Sequence, residues 1–376
     1  MGTGDSAPGA AARQFNPLSR VWCCHGREHE VTDIADPLVA YLGWHRRGNL
    51  GDDAIYDAVR SRLPGATFVD LPLFRHEAVY AAATGLTRSL RRSPYAAQVV
   101  GGGTLVGRRV WRRWVNRGIA LTNKGSYAIG VGVEEPVWTP FGSGKDELKR
   151  WAPILSQFHS VSVRGPRSAE LLSDVGLNVE VSGDPALLLP LPDVVPEDGL
   201  IGVNVGFGDG VIWGHRAKVA EEMSIAVNQL SSQGYRFVGI LMNPKDKRWT
   251  EMALQHVAAD IVLPVDTGAA AREFARCSVA IVSRLHAGIL ASLSDTPTIS
   301  LEYQPKCRDF ALSIDSADLL IRTDKLSAAE VVDRVGGAIA DSPNIRTRTS
   351  AAVVHLRQRL ESEFATLRHQ LGLDGV

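Results

Sequence analysis

From residue 38 onward, short apolar runs alternate with longer stretches in which apolar positions recur every three or four residues. Runs at 38–43, 66–70, 96–100, 126–131, 159–163 and 178–182 predict buried strands, and the stretches at 52–63, 104–117 and 166–174 predict helices between them. Strands that are apolar throughout belong in a sheet covered on both faces, so the alternation implies parallel pairing with right-handed crossovers. The rhythm breaks after Asp184 and Pro185, where Pro190, Pro192 and Pro196 stiffen the chain as far as Glu197-Asp198-Gly199. It restarts at Leu200, with strands at 200–205, 235–241, 261–263, 279–282 and 297–301 and helices near 214–232, 246–257, 270–276, 286–293 and 326–340. The fold class expected is α/β, with two Rossmann-like domains facing a cleft, at residues 37–188 and 189–345. A leader, residues 1–36, has little periodicity and is expected to be disordered. Residues 346–376 form a C-terminal helix, amphipathic from Ala351 to Leu371 and long enough to pack back on the first domain.

Composition narrows the class. With 376 residues, 45% of them hydrophobic and 22% charged, the chain has the material for two cores. A formal net charge of zero argues against a dedicated nucleic-acid binder. No apolar run reaches the roughly 18 residues that a membrane span needs, and no secretory signal pattern opens the sequence, so the expected localisation is cytoplasmic. Cys23, Cys24, Cys277 and Cys307 form no CxxC pair and no disulfide framework, which suits a reducing compartment. Cys23, Cys24, His25 and His29 mimic a metal cluster, but adjacent cysteines in such a leader are far more often incidental, and no metal site is expected.

The candidate chemistry gathers at strand ends. Ser283-Arg284-Leu285-His286 follows the run 279–282, just beyond the carboxyl end of a buried strand, where open α/β sheets bind ligands. Lys306 leaves the next strand in the turn 302–306. Arginine offers a planar fork to carboxylate or phosphate, lysine a point charge, and histidine a proton near neutral pH. Each residue alone is explained by a solvated or satisfied side chain; the three together suit a small, multiply charged anion.

Three loops of the first half lie where such a cleft needs them. Gly48, Asn49, Gly51 and Asp52 make a tight turn, with Asn49 or Asp52 placed to cap a helix or touch a sugar hydroxyl. Gly101, Gly102, Gly103 and Thr104 follow a buried strand and are read as an anion site whose amides lead into a helix N-terminus. Arg164, at the end of the run 159–163, brings a third cation to the same rim, before a helix begins near Pro166.

Taken in order, Gly48-Asn49-Leu50-Gly51-Asp52, Gly101-Gly102-Gly103, Val161 to Arg164 with Ser168, Gly183-Asp184-Pro185 and Ser283 to His286 form a pattern that resembles the polysaccharide pyruvyl transferase family. The resemblance covers roughly residues 38 to 312. It implies a fold like that of GT-B glycosyltransferases, phosphoenolpyruvate as donor, and a pyruvate ketal built on two hydroxyls of one sugar. It also implies that Arg164, His286 and Lys306 match the family's functional positions and Arg284 a donor-contacting one. Ser283, Gly102, Gly103 and Thr104 are the further donor-site candidates. No cofactor is expected, phosphoenolpyruvate being a co-substrate. One departure is Gly165, where the family often has an acidic residue after the arginine.

The residues suit that chemistry on their own terms. Phosphoenolpyruvate carries a phosphate and a carboxylate on one carbon and calls for several cations in a small volume, while ketal formation needs proton transfers that His286 is placed to make. For the acceptor, Trp111 and Trp114 lie in a basic stretch, Arg108 to Arg117, with Arg88, Arg91 and Arg92 ahead of it. Such a face suits a lipid-linked or phosphorylated sugar, or a peripheral contact at the inner face of the membrane. A solvated arginine face over a tryptophan-anchored core explains the same pattern. The acceptor class expected is a bacterial envelope glycan or glycolipid. The main alternative is a GT-B glycosyltransferase with a nucleotide-sugar donor, for which Glu302 would be the ribose-binding acid; a non-catalytic sugar-binding module would need neither His286 nor the cation cluster. Asn243 to Asp246 is read either as cleft lining or as a turn with a helix cap.

Overall fold

The computed structural model describes residues 36–71, 95–136, 138, 145–208 and 210–375. The leader cysteines and histidines, and Arg88, Arg91 and Arg92, lie outside the described residues.

Apolar runs without polar alternation become strands. In the first sheet these are β1 (Leu38–Leu42), β2 (Thr67–Asp70), β3 (Ala97–Val100), β4 (Gly103–Val106), β5 (Ser126–Val133), β6 (Ser160–Val163) and β7 (Glu180–Val181). Their order is β2-β1-β3-β5-β6-β7, with β4 also pairing β5, and every pair is parallel. The second sheet holds β8 (Glu197–Asn204), β9 (Arg236–Ile240), β10 (Ala259–Val262), β11 (Cys277–Val282), β12 (Thr298–Glu302) and β13 (Leu320–Arg322), in the order β10-β9-β8-β11-β12-β13, again parallel throughout. At the centre of the first sheet β3 and β5 are buried throughout, and the edge strands β2, β7 and β10 are partly exposed. In each sheet the first strand has its sequence neighbour on one side and a later strand on the other. That reversal leaves a crevice at the carboxyl ends, where the adjoining crossovers run to opposite faces. In the first lobe the crevice lies between the loops after β1 and β3, and in the second between those after β8 and β11.

Crossover helices cover the sheets. The first lobe has α1 (Leu50–Ser61), α2 (Arg109–Ile119), α3 (Lys145–Leu155) and α4 (Pro166–Ser173). The second has α5 (Arg216–Ser232), α6 (Lys247–Leu254), α7 (Thr267–Ala275), α8 (Leu285–Ser292), α9 (Pro305–Ser313) and α10 (Ala328–Ala340). Two sequence expectations need correcting. The helix read over 104–117 begins only at Arg109, because Gly103–Val106 extends as a strand against β5. β-Branched Thr104 and Val106 favour that pairing over helix. The turn read at 302–306 is shorter than expected, a bend at residues 303–304 between Glu302, the last residue of β12, and a helix that begins with Pro305 in its first turn, where the missing N–H costs nothing.

The last helix, α11 (Ser342–Leu371), is 30 residues long. Its stripe Val353, Leu356, Leu360, Phe364, Leu367 and Leu371 is buried at helical spacing in a hydrophobic cluster that also takes in Val39, Val99, Ile129, Leu187, Phe274, Ile289 and Leu290. Residues of both lobes therefore share one core. Polar contacts tie α11 to the first sheet: Arg359 donates to the Val181 carbonyl at 2.6 Å, Lys124 to the Leu371 carbonyl at 3.2 Å, and the hydroxyls of Ser162 and Ser182 to Glu363. Burial pushes the Glu363 carboxyl above the usual carboxylate range, and the two serine donors only partly offset it.

Candidate active site

A cavity of about 880 Å³ opens where the two crevices face each other. Its lining draws on the loops after β1, β3, β8, β9, β11 and β12. Direct contacts hold the lobes together beside it. The Leu50 amide donates to the Met242 carbonyl at 3.0 Å, and the Asn243 side chain donates to the Gly48 carbonyl at 2.7 Å.

Arg164 lies deepest. The strand end of β6 delivers it, as expected, but to a buried floor rather than to a rim. Its guanidinium stands 3.9 Å from Asp184 and 3.7 Å from Asp309, both buried carboxylates, and Nη2 donates weakly to Thr104 Oγ1 at 3.5 Å. Nε and Nη1 make no hydrogen bond among the described residues. Leaving such donors unfilled in a dry site costs about 1–3 kcal/mol each, which favours any oxyanion that reaches them.

His286 occupies the first turn of α8. Its Nε2 lies 3.7 Å from Asp184, an ion-pair separation longer than a hydrogen bond. Burial raises the Asp184 carboxyl, but His286 and Arg164 oppose burial and hold it below the usual range. One ionised carboxylate thus serves both the histidine and the arginine. Across from it Asp52, half-buried in the first turn of α1, is pushed the other way by burial, against the pull of His286, Asn49 and Lys306. Asn49 caps α1 by accepting from the Gly51 amide at 3.3 Å and donates to Asp52. A Cβ on Gly51 would overlap the His286 ring, so glycine there lets helix α1 approach the histidine. Two carboxylates whose environments push them apart, flanking one imidazole, make a proton-handling arrangement.

Arg284 and Lys306 complete the inner cluster. Arg284 caps α8, and its side chain grips Asp246 with Nη2 at 2.6 Å and Nε at 3.0 Å, while Nη2 also donates to the Phe207 carbonyl at 3.0 Å. Burial pushes its pKa down, but Asp246 more than compensates and holds it above the usual range, so it stays charged. None of these bonds uses Nη1. Lys306, in the first turn of α9, has its ammonium 4.9 Å from the centre of the Tyr303 ring.

Of the residues singled out in the sequence, Asn49, Asp52, Gly102, Gly103, Thr104, Trp111, Arg164, Arg284, His286 and Lys306 line the cavity. Two do not. Ser283 is fully buried with its hydroxyl held by the backbone of Gly206, accepting from the amide at 2.7 Å and donating to the carbonyl at 2.6 Å, so it anchors β8 to β11 instead of touching a ligand. Trp114 packs against the first lobe's core from α2. Trp111 is largely buried in the same core and shows only part of its ring. A strand and not a helix follows at Gly103, so the anion site expected there has no helix dipole.

Asp184, Asp246 and Asp309 carry much of the support and were not assigned roles from the sequence. The signal for Asp184 lay in Gly183-Asp184-Pro185, directly after a strand; Asp246 was weighed only as part of a turn. Asn243 both caps that turn, accepting from the Lys245 amide at 2.9 Å, and lines the cavity. Asp309 accounts for the departure at Gly165. A Cβ on Gly165 would overlap the Asp309 backbone carbonyl, and the Asp309 carboxylate accepts from Ser168 Oγ at 2.6 Å and from the Ser168 amide at 3.1 Å. A carboxylate from the second lobe stands where a side chain after Arg164 would have to fit.

Residues 49–305 match the model of a family described as polysaccharide pyruvyl transferase. No curated protein matches the chain. Among solved structures, the UDP-GlcNAc 2-epimerase from Neisseria meningitidis bound to UDP-GlcNAc superposes with a TM-score of 0.55 at 12% identity, covering 88% of this chain and 99% of that one. MnaA of S. aureus with UDP gives 0.57 at 11% identity, covering 89% and 97%. Os79 from O. sativa, in complex with U2F and trichothecene, gives 0.58 at 12% identity, covering 89% and 100%. At such identity these likenesses establish the fold alone: two parallel-sheet α/β domains of GT-B type, closed by a C-terminal helix.

Proposed function

The chain belongs to the polysaccharide pyruvyl transferase family, and from that premise we propose that it moves pyruvate from phosphoenolpyruvate onto two hydroxyls of one sugar residue, forming a ketal and releasing phosphate. The observation that carries this reading is the convergence of Arg164, Arg284 and Lys306 with His286 on one cavity. Three cations in that volume match a donor bearing phosphate and carboxylate on the same carbon.

The chemistry assigns each group a task. Protonation of the donor's methylene carbon makes it a methyl group and leaves the neighbouring carbon electrophilic. One sugar hydroxyl adds there and loses its proton. Phosphate then departs with the bonding electrons, and the second hydroxyl adds and loses its proton in turn. Two protons leave the sugar; one ends on the methyl carbon and one on phosphate, so the balance closes. His286, steadied by ionised Asp184, is the shuttle, and Asp52, whose carboxyl burial keeps readier to hold a proton, is its partner on the opposite wall. The unfilled donors of Arg164 and the ammonium of Lys306 receive the charge that builds on the leaving phosphate. No cofactor enters the scheme.

The nucleotide-sugar alternative loses its acidic residue. Glu302 is buried and held by Arg308 at 2.6 Å and 3.0 Å, and it does not line the cavity. The acceptor class we propose is a bacterial envelope glycan or glycolipid, met in the cytoplasm at the inner face of the membrane; among the described residues no helix is long and apolar enough to cross a membrane. Thermal unfolding with phosphoenolpyruvate and with a panel of nucleotide sugars tests the donor. At about 100 times its dissociation constant a true ligand stabilises by ~2.7 kcal/mol. Stabilisation by a nucleotide sugar and not by phosphoenolpyruvate would overturn the proposal.

A further inference from the structure

Lys306 is held differently from the two arginines that share its cavity. Arg164 stands between Asp184 and Asp309, and Arg284 is clamped on Asp246. Among the described residues no hydrogen bond or ion pair holds the Lys306 ammonium, and the charge it exerts on Asp52 acts from beyond ion-pair separation. Its place in the chain gives no help. It lies in the first turn of α9, where the helix N-terminus repels a cation, and that turn has no acidic residue to offset the repulsion. Asp309, three residues on, turns its carboxylate to Ser168 and Arg164.

The contact that remains is aromatic. Lys306 Nζ lies 4.9 Å from the centre of the Tyr303 ring, within the range in which a ring face attracts a cation. Tyr303 follows directly on β12 and is 1% exposed, yet it lines the cavity. Neighbours on two sides fix it. Phe207 packs edge-on to its ring at 5.9 Å, Trp249 packs in the same way on Phe207 at 6.0 Å, and the Tyr303 carbonyl accepts from the Trp213 amide at 3.0 Å. A carboxylate in the same place would neutralise the ammonium before any ligand arrived. A ring face orients the cation through its quadrupole and leaves the full charge in place. It also orders a long, flexible side chain in advance, a cost that otherwise falls on ligand binding.

We propose that Tyr303 is a positioning residue for the donor phosphate: its ring holds the Lys306 ammonium in the cavity, ordered but not neutralised, so that the phosphate meets a preformed and undiminished cation. The identity of that anion rests on the pyruvyl-transfer reading; the contact between ring and ammonium does not.

Two measurements on the full chain test the assignment. In the first, the lysines are reductively methylated with carbon-13 formaldehyde, and the Lys306 methyl signal, assigned by its loss in Lys306→Arg, is followed by NMR. A methylammonium over a ring face is shifted upfield, and the shift is expected in the wild type and in Tyr303→Phe and is expected to vanish in Tyr303→Leu. In the second, phosphoenolpyruvate is titrated calorimetrically into the wild type, Tyr303→Phe, Tyr303→Leu and chains with mono-, di- or trifluorophenylalanine in place of Tyr303. Fluorine drains charge from the ring face with little change in size, so packing is kept while the attraction for a cation falls. Affinity should stay within about twofold of the wild type in Tyr303→Phe, weaken stepwise to about fivefold in the trifluorinated chain and fall about tenfold in Tyr303→Leu. With Lys306→Ala in place the fluorinated series should become flat. An unshifted Lys306 signal in the wild type would remove the contact, and affinity that stays flat across the fluorinated series would leave Tyr303 a packing residue; either result overturns the proposal. A series that weakens equally with Lys306→Ala in place would overturn it too, since the ring would then act through another group. If phosphoenolpyruvate binds none of these proteins while the lysine signal still follows the ring, the donor reading falls and the positioning of Lys306 by Tyr303 stands.

Discussion

The two ends of the cavity hold their cations in opposite ways. At the inner end Arg164 stands between two buried carboxylates and Arg284 is clamped on Asp246, so side-chain freedom has been given up during folding. At the mouth Arg109 is exposed in the first turn of α2, with no carboxylate in that turn. Preorganised charge is worth most where charge develops during reaction, in a site that excludes water, while adaptable charge suits a ligand of variable shape. The difference suggests a fixed donor site and a tolerant acceptor site, and substitutions at the two ends should fail in different ways.

The largest effect is expected at the shuttle. His286→Ala should lower turnover by about 10²–10⁴-fold, the usual worth of a positioned acid–base group, while leaving the unfolding midpoint near that of the wild type. Turnover close to wild type in a discontinuous phosphate-release assay would remove His286 from the mechanism. Asp184→Asn comes next. Losing the charge that His286 and Arg164 share should cost about 10²-fold in kcat, through misplacement of both. A change confined to KM for the acceptor would contradict the assignment of Asp184 to the fixed end.

At the mouth, where Trp44 lines the cavity and stays 44% exposed, Trp44→Ala should raise KM for the acceptor about tenfold and leave KM for phosphoenolpyruvate unchanged; equal shifts in both would dissolve the distinction between the two ends. The smallest effect concerns pH. Because Glu363 has a raised folded-state pKa, it contributes stability that is present below its unfolded value and is lost as pH rises through the folded one. Urea midpoints of wild type and Glu363→Gln should therefore draw together at acidic pH and diverge as pH rises, with the variant gaining relative to wild type. A difference that stays constant with pH would show that Glu363 is ionised without penalty.

Much of this was legible in the sequence because parallel strands announce themselves as unbroken apolar runs, and chemistry placed just after such runs falls at the carboxyl ends. That logic found His286, Arg284, Arg164 and Lys306. It failed where local and tertiary signals compete. Thr104-Leu105-Val106 reads as the start of a helix, and only the part of β5 that runs on past β3 makes it a strand. Ser283 looked available because its neighbours are; the carbonyl and amide of Gly206, distant in sequence, claim its hydroxyl. Asp309 had no motif around it, since its value comes from Ser168 and Arg164, more than a hundred residues away.

The contact of Asp309 with Ser168 also sets a condition on turnover. Helix α9 carries both Lys306 and Asp309, one helical turn apart, and Asp309 reaches across to the start of α4. Any separation of the lobes wide enough to free a product must break those bonds and at the same time carry the ammonium of Lys306 away from Arg164. Letting go of phosphate and dismantling the charge that held it would then be a single movement, so the enzyme would not have to pull the anion out of an intact trap.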